Sequence, residues 1–240
     1  MPEHLSRKEL KQDKIHEAIE HGAEAVYSHS QAAAIIVSVV IAVVLVYGGW
    51  KLYNDRQTLH ASAVLDEAMK VYYAPIRPAG QPGDATDVSF SDLQTRAQSA
   101  STKFAAIADK YPSTNPGKLA RYYHGLTLLD LEKQNQALEE LKKVVGGSDK
   151  ELSAMAQYQI ATIYARTGKT DDAVKTYRAV ADTKSVLVPR PLVLLELADL
   201  LSQTKPAEAT TIYQQIKKEY PGSTVSDRAD RGLDLLAPKS

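Results

Sequence analysis

Between Ala100 and Pro221 the chain repeats itself, and this repetition restricts the fold more than any other feature. Ala100-x-x-x-Phe104-x-x-Ile107-x-x-x-x-Pro112 returns near the other end as Ala209-x-x-x-Tyr213-x-x-Ile216-x-x-x-x-Pro221. Both copies pass through a tyrosine, giving Tyr111-Pro112-Ser113 and Tyr220-Pro221-Gly222-Ser223. Between them stand Ala137-x-x-x-Leu141-x-x-Val144 and Ala173-x-x-x-Tyr177-x-x-Val180, 36 residues apart. A fixed period of this length marks a stack of supersecondary units.

Each unit has a physical logic. Alanine lets two helices approach closely, the larger residue four positions on fills the space beside it, and proline ends the helix. Small residues also punctuate the preceding helices at Gly125, Ala161 and Ala198, each followed three positions later by Leu128, Tyr164 or Leu201. The pattern is helix A then helix B, several times over. Helix A is expected to open within 117–121, 152–157 and 190–194. One such pair cannot bury its apolar face, so the pairs must stack and the last helix needs a polar outer side. Thr224 to Leu236 suits that cap, with Val225, Ala229, Leu233 and Leu236 inward and Asp227, Arg228, Asp230 and Arg231 in water. The fold class expected is all-α: an α-solenoid with a C-terminal capping helix, preceded by one transmembrane helix.

That transmembrane helix is read from Ala32 to Trp50, AAAIIVSVVIAVVLVYGGW, which has no charged residue. About 20 apolar residues at about 1.5 Å each cross a hydrocarbon layer of about 30 Å. Tyr47, Trp50 and Tyr53 sit at one end, where amphipathic rings favour the headgroup zone, and Lys51 can snorkel outward. A cleaved leader would have an apolar region of about 7–15 residues and small residues before the cut. The long tail of mixed charge and Tyr47-Gly48-Gly49-Trp50 do not fit it, so the span is expected to stay as an anchor.

The expected organisation is a tail over residues 1–31, a span over 32–53, a membrane-proximal helix over 54–74, a Pro/Gly-rich loop over 75–91 and repeats over 92–240. In the tail, Ser6-x-x-Glu9 fits a capping box ahead of a helical stripe through Ile15, Ile19 and Val26. Basic residues flank the span almost evenly, so charge barely sets orientation.

Twenty-nine basic against 29 acidic side chains give no global field to attract nucleic acid. With no cysteine there is no disulfide, thiolate metal site or cysteine nucleophile. His4, His16, His21 and His29 lack the i, i+4 pairing of a helical metal site, and His60 and His124 stand apart. There is no phosphate loop, His-Glu-x-x-His series or Gly-x-Ser-x-Gly elbow. No enzyme, metal or cofactor is expected.

The repeated residues resemble the tetratricopeptide repeat over roughly 92–221, although Arg121, Gln157 and Leu194 replace its helix A tryptophan. The resemblance implies a concave partner-binding face built from Tyr122, Leu126 and Leu129, then Tyr158, Thr162 and Ala165, then Leu195, Asp199 and Ser202. Tyr122 and Tyr158 would either form an aromatic platform for an extended peptide or pack between helices with only their hydroxyls exposed.

The layout, with Gly49-Trp50-Lys51-Leu52-Tyr53-Asn54 and Lys103-Phe104-Ala105-Ala106, is similar to the ancillary subunit family of the Sec translocon. That resemblance implies a single-pass protein of the bacterial inner membrane, N-terminus cytoplasmic and repeats periplasmic. It would be an adaptor joining translocon subunits to periplasmic chaperones. The Tyr-Pro helix ends look more like envelope-assembly repeat proteins, leaving a scaffold in envelope assembly or cell division as the other reading.

Overall fold

The computed structural model describes residues 30–77 and 88–237, and all nine helices below lie within them. The expected tail helix and most of the proline-rich loop fall outside the described residues. The chain divides into two compact units, Met1–Arg56 and Gln57–Ser240. Helix α1 (Ser30–Tyr72) contributes to both.

In the first unit, α1 is apolar and unburied together. Ile36, Val40, Val44 and Leu45 are each more than half exposed, the reverse of a core helix. The segment is long and apolar enough to cross a membrane, with none of its apolar window buried. Tyr47 and Trp50, whose rings are 6.2 Å apart, and Tyr53 and Lys51 are exposed at its polar end.

The second unit is an α-solenoid. Helices α2 (Leu93–Lys110), α3 (Asn115–Asp130), α4 (Gln134–Val145), α5 (Lys150–Arg166), α6 (Thr170–Asp182), α7 (Arg190–Leu201), α8 (Pro206–Glu219) and α9 (Thr224–Leu236) follow one another. From α2 onward each packs on the next. The repeated alanines Ala100, Ala137, Ala173 and Ala209 have no exposed surface, and Phe104, Leu141, Tyr177 and Tyr213 beside them are at most 2% exposed. Close approach explains the small residues of helix A as well. A Cβ on Gly125 would lie 2.8 Å from Cγ of Leu141.

The repeats begin earlier than the sequence pattern suggested. Ala61, Leu65, Ala68 and Val71 of α1 share one core cluster with Ala100, Phe104 and Ile107. The part of α1 after Gln57 is thus the first helix A, not a separate membrane-proximal helix. Leu65-x-x-Ala68-x-x-Val71 takes the places of Tyr122-x-x-Gly125-x-x-Leu128. Backbone bonds between Arg77 and Phe90 and between Phe90 and Pro75 close the neck of the loop that follows.

Turns from helix A to helix B recur with the repeat. The Lys133 and Lys169 amides bond the carbonyls of Leu128 and Tyr164 at 2.8 and 2.9 Å. Each follows a residue of positive φ, Glu132 at 60° and Gly168 at 74°. Turns from helix B to the next helix A use three devices, the simplest at the α4–α5 junction, where the Asp149 carboxylate accepts the Leu152 amide at 3.0 Å. At the Tyr-Pro junctions, the Thr114 and Ser223 hydroxyls donate to the carbonyls of Tyr111 and Tyr220 at 3.0 and 2.7 Å. The same oxygens accept the amides of Gly117 and Ser226, capping α3 and α9. Thr114, not Ser113, is therefore the counterpart of Ser223. At the longer α6–α7 junction the Glu151 carboxylate accepts from the Ser185 hydroxyl and the amides of Val186 and Leu187.

Arg121, standing where the repeat family has tryptophan, ties three helices together. Its guanidinium donates to Glu140 at 2.7 Å, to the Ala108 carbonyl at 2.9 Å and to Asp109 at 3.3 Å. Burial would raise the Glu140 carboxyl, but Lys143 and Arg121 outweigh it and hold it below the ordinary range.

Candidate protein-interaction face

Helix A presents its functional positions one and two turns apart, so they form a strip running across the stacked helices α3, α5 and α7. In the first of these, the strip is mostly core. Tyr122 is 4% exposed and sits edge-on to Tyr123. Burial pushes its phenol up. Leu126 and Leu129 pack against the same cluster and keep part of their surface.

On α5, Tyr158 is half-buried, edge-on to Tyr177 with centroids 6.0 Å apart. Burial first, then the Glu196 charge, pushes its hydroxyl up to about 12. The Thr162 hydroxyl lies 3.1 Å from the Tyr158 carbonyl and 3.1 Å from the Tyr177 hydroxyl. Ala165 is half-buried against the core. On α7, Leu195 has no exposed surface, whereas Asp199 is exposed and Ser202 partly so. The Ser202 hydroxyl donates to the Asp199 carbonyl at 2.7 Å.

One expectation changes here, and of the two readings left open for the tyrosines one fits the structure. Leu195 is a core residue, because helix α7 is apolar nearly all round and neighbouring helices cover that side. Tyr122 and Tyr158 do not form a joint platform: Tyr122 packs between helices, and Tyr158 keeps only a partly open edge.

The structure adds residues that helix A spacing does not reveal. The Tyr213 ring fills the core from α8 while its hydroxyl donates to Asp199 Oδ1 at 2.6 Å. Arg228 of the capping helix reaches Asp199 Oδ2 at 3.4 Å and Glu196 at 3.9 Å. Burial raises Glu196, with Arg228 opposing. Around this network lies a cleft of about 490 Å³, lined by Asp199, Ser202, Tyr213, Arg228, Arg231 and Leu235 among others. Among the described residues Arg231 has no acidic partner, and Leu235 is 84% exposed. An open guanidinium, small hydroxyl groups and an apolar wall can hold a peptide segment; they supply no nucleophile–base pair. Among the described residues no cluster of three metal-ligating side chains occurs.

A model of the tetratricopeptide repeat-like domain matches residues 28–186, and one of the tetratricopeptide repeat matches 192–223. Two similar solved structures are crystal structures of TPR-like repeats of a putative kinesin light chain from Podosopora anserina, one of them a single-substitution variant. Each is 15% identical and covers 60% of this chain. They align over 79% and 80% of their own lengths, with TM-scores of 0.51 and 0.50, a likeness of fold alone. No curated protein matches.

Proposed function

The chain belongs to the tetratricopeptide repeat-like family, and from that premise we propose that it is a non-catalytic, membrane-tethered adaptor. The α1 span over 32–53 is the anchor, and the helix A strip with its C-terminal cleft holds a protein or peptide partner. The observation carrying this reading is the cleft beside Asp199 and Tyr213, where Arg231 and Leu235 stand open to solvent. Of the strip, Leu126, Leu129, Tyr158, Thr162, Ala165, Asp199 and Ser202 retain surface for such contact.

The resemblance to the ancillary translocon subunit supports placing the protein in the bacterial inner membrane, with a cytoplasmic tail and periplasmic repeats. Its partners would be translocon subunits and periplasmic chaperones. The two Tyr-Pro junctions, alike in their capping bonds, favour a second reading as a scaffold of envelope assembly or division. A tether raises the effective concentration of the repeat unit near membrane partners without adding a contact.

The test is gentle solubilisation of the tagged protein, with identification of what accompanies it, beside a form lacking residues 1–56. Channel subunits or periplasmic chaperones that depend on the span support the adaptor. Outer-membrane or division proteins select the second reading. Cytosolic proteins reverse the topology, and equal capture by the soluble form removes the tether from the mechanism.

A further inference from the structure

Helices joined by short turns alternate in direction, so all turns from helix B to helix A lie along one edge of the solenoid. The first helix A of the unit opens on this same edge at Gln57, because α1 pairs antiparallel with α2: Ala74 meets Arg96, while Val64 and Glu67 meet Ile107 and Lys110. Only Asn54, Asp55 and Arg56 separate Tyr53 from Gln57, at most about 14 Å of chain.

That edge has an unusual surface. Lys142, Lys150, Lys184 and Lys218 are exposed on it. Lysines at the ends of α4 and α8 follow from the helix dipole, but Lys150 opens α5 and Arg190 opens α7, where a cation opposes the dipole. Helix electrostatics therefore do not account for the basic character. Its acids are partly engaged: Asp149 caps α5, Glu151 holds the junction loop and Glu219 takes Arg190, while Asp182 and Asp227 are not so held. The opposite edge is mixed in charge, carrying Asp130, Glu132, Asp171, Asp172 and Glu208 together with Lys133, Arg166, Lys169 and Lys205, and among the described residues it displays no aliphatic pair held by a carboxylate.

In the middle of the basic edge, the α6–α7 junction displays two aliphatic side chains. Val186 is 81% exposed and Leu187 61%. They are not the tip of a loose loop. Glu151 accepts bonds from both of their amides, Ser185 Oγ accepts from the Val188 amide at 3.0 Å, and Val188 is buried. The loop is three residues longer than the 111–114 and 220–223 junctions, and its bonds hold those residues outward.

Resting on the anchor reading above, we propose that this edge docks on an anionic lipid surface, with Val186 and Leu187 entering the headgroup zone and the lysines meeting lipid phosphates. A pinned apolar pair flanked by lysines has the chemistry of a peripheral membrane contact. Docking would fix the tilt of the solenoid and turn its strip of helix A residues to one side.

The chain has no cysteine, so single labels are available. Full-length L187C and Q203C, the latter on the opposite edge, are labelled with an environment-sensitive fluorophore and placed in lipid discs. Discs of phosphatidylcholine are compared with discs that include phosphatidylglycerol. The expected result is a blue shift at position 187 in anionic discs alone, none at 203, and a docked fraction falling about five-fold each for K150Q and K184Q. A silent label at 187, or equal response in both discs, overturns the proposal. A shift that needs a second copy or an added protein assigns the pair to a protein partner instead. Failure of the chain to enter discs removes the anchor reading, and this proposal with it.

Discussion

Gly232 of the capping helix lies against the face of Tyr213, so closely that a Cβ there would stand 2.5 Å from the ring's Cζ. The ring cannot move aside: it is 2% exposed and its hydroxyl is tied to Asp199. Gly232→Ala gains helix propensity of about 1 kcal/mol, yet overpacking a fixed ring costs about 1–3 kcal/mol. We expect a net loss of stability and a cap that frays first. Urea unfolding with hydrogen exchange on α9 checks this; an unchanged or raised midpoint would mean the ring yields.

Thr114 and Ser223 do the same work at two junctions, each bonding the end of one helix and capping the next. Thr114→Ala and Ser223→Ala should each cost about 1 kcal/mol. Because they sit by different core clusters, their effects should add in the double variant. Thermal or urea midpoints of the two singles and the double decide it, with Ser113→Ala as the silent control.

The repeat was readable because the spacing of Ala137, Ala173 and Ala209 is itself the packing rule: identical contacts need identical intervals. The first helix A escaped that rule. Ala68 precedes Gly125 by 57 residues, since a long loop replaces the tight turn and breaks the period. The capping helix was read correctly along its whole length from an amphipathic pattern. The site was harder to read. A tyrosine such as Tyr213 buries its ring as the pattern demands, but where its hydroxyl emerges depends on the neighbouring helix, and no spacing states that. Leu195 failed for a related reason: the apolar α7 has no polar face to mark which side stays open.

Glu132 adopts φ 60° at the turn where the next repeat has Gly168. A residue with a Cβ pays about 1 kcal/mol in that region, partly offset on replacement by glycine's freer unfolded chain. Glu132→Gly should therefore stabilise the unit by about 0.5 kcal/mol. Gly168→Ala should do the opposite. Opposite shifts in the urea midpoint are the expected outcome, and shifts of the same sign would show that the turn relaxes.

Arg231 and Leu235 are exposed on the cleft and hold nothing in the fold together. Arg231→Glu and Leu235→Asp should change stability by less than about 0.5 kcal/mol. Retention of the co-purified partner should nevertheless fall in both. Normal recovery of the same partner from either variant would move the binding surface away from the cleft.

The Glu151 carboxyl is held below the ordinary range by the Ser185 hydroxyl first, then by the Leu187 and Val186 amides. A depressed folded value means that the contribution is full above the unfolded pKa and is lost as pH falls through the folded one. The α6–α7 junction should thus stay ordered at neutral pH and loosen in acid, below the usual glutamate range, while the core helices persist. Glu151→Gln should loosen it at every pH, because an amide is a weaker acceptor than a carboxylate for three donors. Amide exchange at Val186 and Leu187 against pH reads both effects. Protection that is independent of pH in the parent chain, or unaltered in the variant, would show that Val188 alone seats the loop.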